Sequence, residues 1–116
     1  MLFRSAALDG FDKKLLEIEM VLLSKSDLHS DDKWYVEAYH TYLNLLWLSG
    51  EVGTGAADVA GGADFRPTDA SLATLARLEA EATGAQAAFA RVLATDLPAF
   101  NQAMAGRIPP LTTKAP

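Results

Sequence analysis

The chain contains no cysteine. Disulfides, cysteine-ligated zinc and thiol catalysis are thereby excluded, although the absence does not decide the compartment. Histidine is nearly as scarce, with His29 and His40 alone. Basic residues are in deficit: ten Lys and Arg stand against fifteen Asp and Glu, a formal net charge of −5. Nucleic-acid binders present a basic face, and no run of Lys or Arg supplies one, so no nucleic-acid partner is expected. The same balance disfavours an anionic membrane surface. Long apolar runs are also missing. The richest, Tyr42 to Leu48, is interrupted by Asn44 and falls short of the roughly 18 residues that suggest a membrane span. Met1 to Asp9 lack a basic start ahead of a long apolar core, so no signal peptide is expected.

What the sequence does have is apolar periodicity. Half of the 116 residues are hydrophobic, enough to pack one domain without metal or disulfides. The clearest pattern runs from Thr68 to Met104, where Leu75, Leu78, Ala82, Ala85, Phe89 and Val92 recur at steps of three and four. That spacing lines one face of a helix, and Leu72 and Leu93 widen the stripe. Pro67 keeps Arg66 out of the helical region, Thr68 is placed to cap the free amides, and Asp69 suits the positive end of the dipole. The small residues Ala82, Gly84, Ala85 and Ala88 predict close approach of a neighbouring helix.

An earlier helix is expected from about residue 3 to Lys25, carrying Leu8, Phe11, Leu15, Ile18 and Leu22. A second should start at a cap on Ser30 or Asp31 and reach about Ala57. Trp34, Ala38, Leu45, Leu48 and Val52 give it one stripe, and Tyr35, Tyr39, Tyr42 and Leu46 a second beside it. Ala57 to Pro67, with Gly61-Gly62, reads as a loop in which Phe65 plugs the helix ends. Thr95-Asp96-Leu97-Pro98 reads as a break: Pro98 fits a first turn, Asp96 caps, and a short helix carries Leu97, Phe100 and Met104. Gly106 should end it, with Ile108-Pro109-Pro110-Leu111 leaving as an extended tail and 112–116 frayed. The expected fold is all-α: a single domain over 1–111, an antiparallel bundle of three long helices plus a short C-terminal helix.

Leu45-Leu46-Trp47-Leu48-Ser49-Gly50-Glu51-Val52, the glycine-rich loop, Arg66-Pro67-Thr68 and Thr95-Asp96-Leu97-Pro98-Ala99-Phe100-Asn101 together carry a resemblance. The segment Leu45 to Leu111 resembles the C-terminal helical region of bacterial BNR/sortilin-like β-propeller proteins, often labelled glycosyl-hydrolase-like repeat proteins. Leu8 to Leu16 looks like the preceding helix of that region. The propeller itself is absent, so the resemblance implies a packing or assembly module without catalysis. For a full-length parent it implies a periplasmic or secreted setting. Asp31-Asp32-Lys33-Trp34-Tyr35 stands where that family has a shorter, proline-containing entry to the second helix.

No reactive constellation is present. His29 beside Asp27, Asp31 and Asp32 is more simply a charge-matched helix start than a metal cluster. His40 with Glu37 and Asn44 lacks a third ligand. Asp12 with Glu17, or Glu51 with Asp58, are acids of the sort that solvated helix faces carry. Gly50-x-x-Gly53-x-Gly55 follows a helix rather than a strand, so phosphate-cradling geometry is not expected. No metal or cofactor is therefore expected. The aromatic stripe is different. Trp34, Tyr35, Tyr39, Tyr42 and Trp47 form an aromatic group that reads either as core and core rim or as an interface, and Tyr35, Tyr39, Tyr42 and Leu46 are a stripe beyond the one that packs the first and third helices. Trp34, Tyr35, Tyr39, Tyr42 and Leu46 are therefore the candidate partner-binding residues. The expected function is a non-catalytic helical interaction or assembly module, self-associating or docked on a larger protein. The alternatives are an accessory subunit of a larger enzyme complex, with the tail lying along a partner, and a small-molecule binder or enzyme with a pocket lined by the aromatic helix and by His40 or Glu37.

Overall fold

A computed structural model describes residues 6–24, 38–52 and 66–114. Among them the chain is all-α, with no strand. Helix α1 is Ala6–Leu22, α2 is Thr41–Val52 and α3 is Asp69–Arg91. One wider turn, Val92–Asp96, joins α3 directly to α4, Leu97–Ala103. From Asp69 to Ala103 the backbone is thus one rod, about 52 Å long at the usual helical rise.

Thr68 starts this rod as the sequence predicts. Its Oγ1 accepts from Ser71 N–H at 3.0 Å and its backbone carbonyl accepts from Leu72 N–H. Gly106 ends it: the residue takes φ 79°, left-handed space that glycine enters without steric cost, while Arg107 N–H bonds back to Met104 O.

Contacts along the rod set the arrangement. The Phe11 ring stacks on Phe100 with centroids 4.6 Å apart, and Lys14 pairs with Asp96. Nearer the middle, Thr41 reaches Glu81. Towards the start of α3, Asn44, Leu48 and Glu51 share a groove with Thr68, Ser71 and Thr74. Helix α1 therefore runs antiparallel to the rod over its second half, and α2 continues antiparallel over its first half. The layout is two short helices in tandem along one long one. The extents are 62 × 29 × 26 Å, and the radius of gyration is 19.5 Å, against about 13 Å for a compact domain of this length.

The buried apolar line on the rod is Leu78, Ala85, Val92, Phe100 and Met104, joined by Leu48 from α2. The first two steps are seven residues, and the next is eight. The extra residue is taken up between Val92 and Asp96, where Leu97 N–H bonds five residues back to Val92 O.

This turn overrides the expected break at Thr95–Pro98. Pro98 does sit in the first turn of α4, but the helix does not stop. In a regular helix its ring would meet the carbonyl four residues back, and the widened turn ahead of it lets the rod continue. Asp96 is helical and makes no capping bond; its carboxylate is taken by Lys14.

The second helix also differs from expectation. Residues 38–40 are not helical, and α2 has 12 residues, starting at Thr41. The reason is a joint. His40 and Thr41 turn their side chains to the last carbonyls of α1, so the chain bends there. The cap at Ser30 or Asp31 and the plug at Phe65 lie outside the described residues. The tail differs too: Leu111 N–H donates to Asn101 Oδ1 at 2.8 Å, and Asn101 Nδ2 donates to Leu111 O at 2.9 Å. The segment after Gly106 is thus folded back on α4 instead of leaving it.

Candidate interaction surface

The polar joint fixes how the helices present their faces. The buried Thr41 hydroxyl lies 2.7 Å from Glu81 Oε2 and 3.1 Å from Val21 O, sharing its proton between these acceptors. Glu81 is held from its other oxygen by Arg77 Nη1 at 2.7 Å. His40 Nδ1 is 3.1 Å from Leu23 O, and since a carbonyl only accepts, the proton is on Nδ1. Asn44 Nδ2 donates to Tyr39 O at 2.9 Å. Two carbonyls at the end of α1, those of Val21 and Leu23, are met by the residues that open α2. This cluster joins α1, α2 and α3.

The apolar stripes are only partly used. On α3, Leu78 is 2% exposed, yet Leu72, Leu75 and Phe89 of the same predicted stripe stay open. On α2, Leu48 is buried whereas Leu45 and Val52 of its stripe are exposed. On α1 the residues turned inward are Ala7, Phe11, Leu15, Ile18 and Leu22, all half-buried, and Leu8 is exposed. The physical cause is the layout: among the described helices the rod has one neighbour at any level, where a closed bundle would supply two. Gly84 is exposed with open space around it, so the close approach predicted there involves Ala85 and not the glycine.

Of the predicted partner-binding residues, Tyr39 is half-buried, Tyr42 is 50% exposed and Leu46 is 51% exposed. Trp34 and Tyr35 lie outside the described residues, as does His29. Trp47, part of the aromatic group of this helix but outside the candidate set, is the most exposed of the large apolar side chains among the described residues, at 63%. Sequence reasoning missed Leu45, Leu72 and Leu75, which it puts in the core. Their signal was that the α2 and α3 stripes are broader than a single antiparallel neighbour can cover.

These residues sort onto sides. Successive residues turn about 100° around a helix, and on antiparallel neighbours side chains displaced in the same rotational sense from the contact line emerge on the same side. One side of the α2–α3 layer is fixed by the open groove of Asn44, Trp47, Glu51, Ala70 and Thr74, a space of about 270 Å³. Helical phase places Tyr42, Leu45, Leu72, Leu75 and Phe89 on the opposite side, with Leu8 continuing that face along α1. A further cleft of about 340 Å³ lies between α1 and α4, walled by Ala6, Gly10, Phe11, Ala99 and Ala103. His40 lines neither space, and Glu37 lies outside the described residues.

Among the described residues no group of His, Asp and Glu has the geometry to hold a metal ion, and no helix is long and apolar enough to cross a membrane. No protein-family model matches the chain, and neither a curated protein nor a solved structure matches it.

Proposed function

We propose that this chain is a non-catalytic docking module, whose open apolar side completes its packing on a protein partner. The observation that carries the reading is the row Tyr42, Leu45, Leu72, Leu75 and Phe89, large apolar side chains exposed together on one side. Large apolar side chains gathered on one open side mark an interaction site more often than singly scattered ones do. The antiparallel bundle of three long helices that the sequence suggests is reached, on this reading, when the partner supplies the missing layer. A helical region that follows a β-propeller, which Leu45 to Leu111 resembles, is one setting for such docking. Catalysis is not part of the proposal, because the polar groups at the joint are spent on helix ends and on each other. An accessory role through the tail is less supported, since Asn101 already engages Leu111.

The test uses Leu45→Gln and Leu72→Gln. If both side chains serve a partner, each change shifts thermal unfolding by no more than about 0.5 kcal/mol, as surface substitutions do. If they belong to this chain's own core, the loss reaches about 2–5 kcal/mol, and the proposal fails.

A further inference from the structure

The same helical phase that gathers the exposed leucines on one side also sorts the charges. On the side of Leu8, Leu45, Leu72 and Leu75 fall Asp12, Glu19 and Glu79, all exposed. The cations of the described helices fall elsewhere. Lys13 and Arg91 project around the other flank, Arg77 is tied to Glu81, and Lys14 is tied to Asp96. The open apolar side is therefore rimmed by acids, with no Lys or Arg of the described helices on it.

We propose that the occupant of this side is an amphipathic helix of another protein, with Lys or Arg flanking its apolar stripe. The inference rests on the docking reading above and adds the chemistry of the partner. A second copy packed face to face would set Asp12, Glu19 and Glu79 against the same acids, a juxtaposition that costs binding energy and slows encounter. A cationic rim meets them with opposite charge. The length fits as well: Leu72 to Phe89 spans about 25 Å of helix, which a partner of about 17–20 residues covers. The recognition is of the helix-in-groove kind, with apolar anchors at spacings of three and four supplying affinity and the flanks supplying selectivity.

The probes are two synthetic helical peptides of about 18 residues, identical in their leucine stripe, one flanked by lysines and one by glutamates. Each is titrated into the full chain by fluorescence anisotropy at low and at high salt. The lysine peptide is expected to bind at least about tenfold tighter at low salt, with the gap closing as salt screens the rim. The double change Glu19→Lys with Glu79→Lys should abolish or reverse that preference, while Lys13→Glu on the other flank should leave it intact. Equal affinities overturn the proposal, and so does a preference that Lys13→Glu raises by about half of what the rim change removes, in proportion to their opposite charge changes, because net charge alone would then explain it. Equal affinities that both fall with Leu72→Gln leave the docking reading standing. Binding of neither peptide overturns both.

Discussion

At the scale of single residues, Thr41 has the largest share in the architecture. It is buried, it opens α2, and its hydroxyl bridges the end of α1 to Glu81 of α3. Thr41→Val keeps the shape and removes the bridge, leaving Val21 O and one carboxylate oxygen short of a donor. Unmade hydrogen bonds at a buried site cost about 1–3 kcal/mol, so chemical denaturation should show a loss of that size with little change in helix content. A change within error would mean that water replaces the hydroxyl and that the joint is not a fixed point. This residue was not legible in the sequence. The periodicity puts Thr41 in the interior of a helix that starts at Ser30 or Asp31, and nothing local shows that its partners lie 20 and 40 positions away. Thr68 was legible because its partner is three residues on. Asp96 illustrates the opposite failure: it was read as a local cap, and a distant lysine took it instead.

At the scale of elements, the all-α character and the apolar stripes of the helices were readable from steps of three and four, because that periodicity is intrinsic to the helix. Where each helix begins was less so. The α2 start is decided by the joint with α1, and the continuity of the rod through Pro98 is decided by a single inserted residue. That insertion makes its own prediction. Leu78, Ala85 and Val92 are spaced by seven and Phe100 follows at eight, so deleting the exposed Thr95 should convert the wide turn to regular helix and bring Phe100 into step. Pro98 would then lie nearer a regular interior, so a modest cost is expected, within about 3 kcal/mol. Deleting Ala87, in the regular part of α3, rotates everything beyond it by about 100° and takes Val92, Phe100 and Met104 off the seam together. Thermal unfolding followed by circular dichroism separates the two. Equal losses would show that the wide turn carries no register.

At the scale of the whole molecule, the decisive property is thickness. Among the described residues, two short helices laid end to end along one long helix bury a single seam, and their apolar content exceeds what that seam can hold. The excess was visible in the sequence as double stripes, but its location was not. The sequence puts the stripe of Tyr39, Tyr42 and Leu46 on a partner and that of Leu45, Leu48 and Val52 in the core, whereas of their members on α2 only Leu48 is buried. Periodicity reports that a face is apolar; only the arrangement of neighbours reports whether it is covered. The account therefore depends on the free chain leaving Leu45 and Leu72 in contact with water while Leu78 is sealed.

Because the chain has no cysteine, that can be measured directly by thiol labelling of Leu45→Cys, Leu72→Cys and Leu78→Cys, one at a time. The account predicts that the thiols at 45 and 72 react with a maleimide within about tenfold of a free peptide thiol. The thiol at 78 should be slowed by the full cost of opening the fold, several powers of ten for about 5 kcal/mol or more. Protection at 45 and 72 matching that at 78 would contradict it, placing those leucines inside the chain's own core.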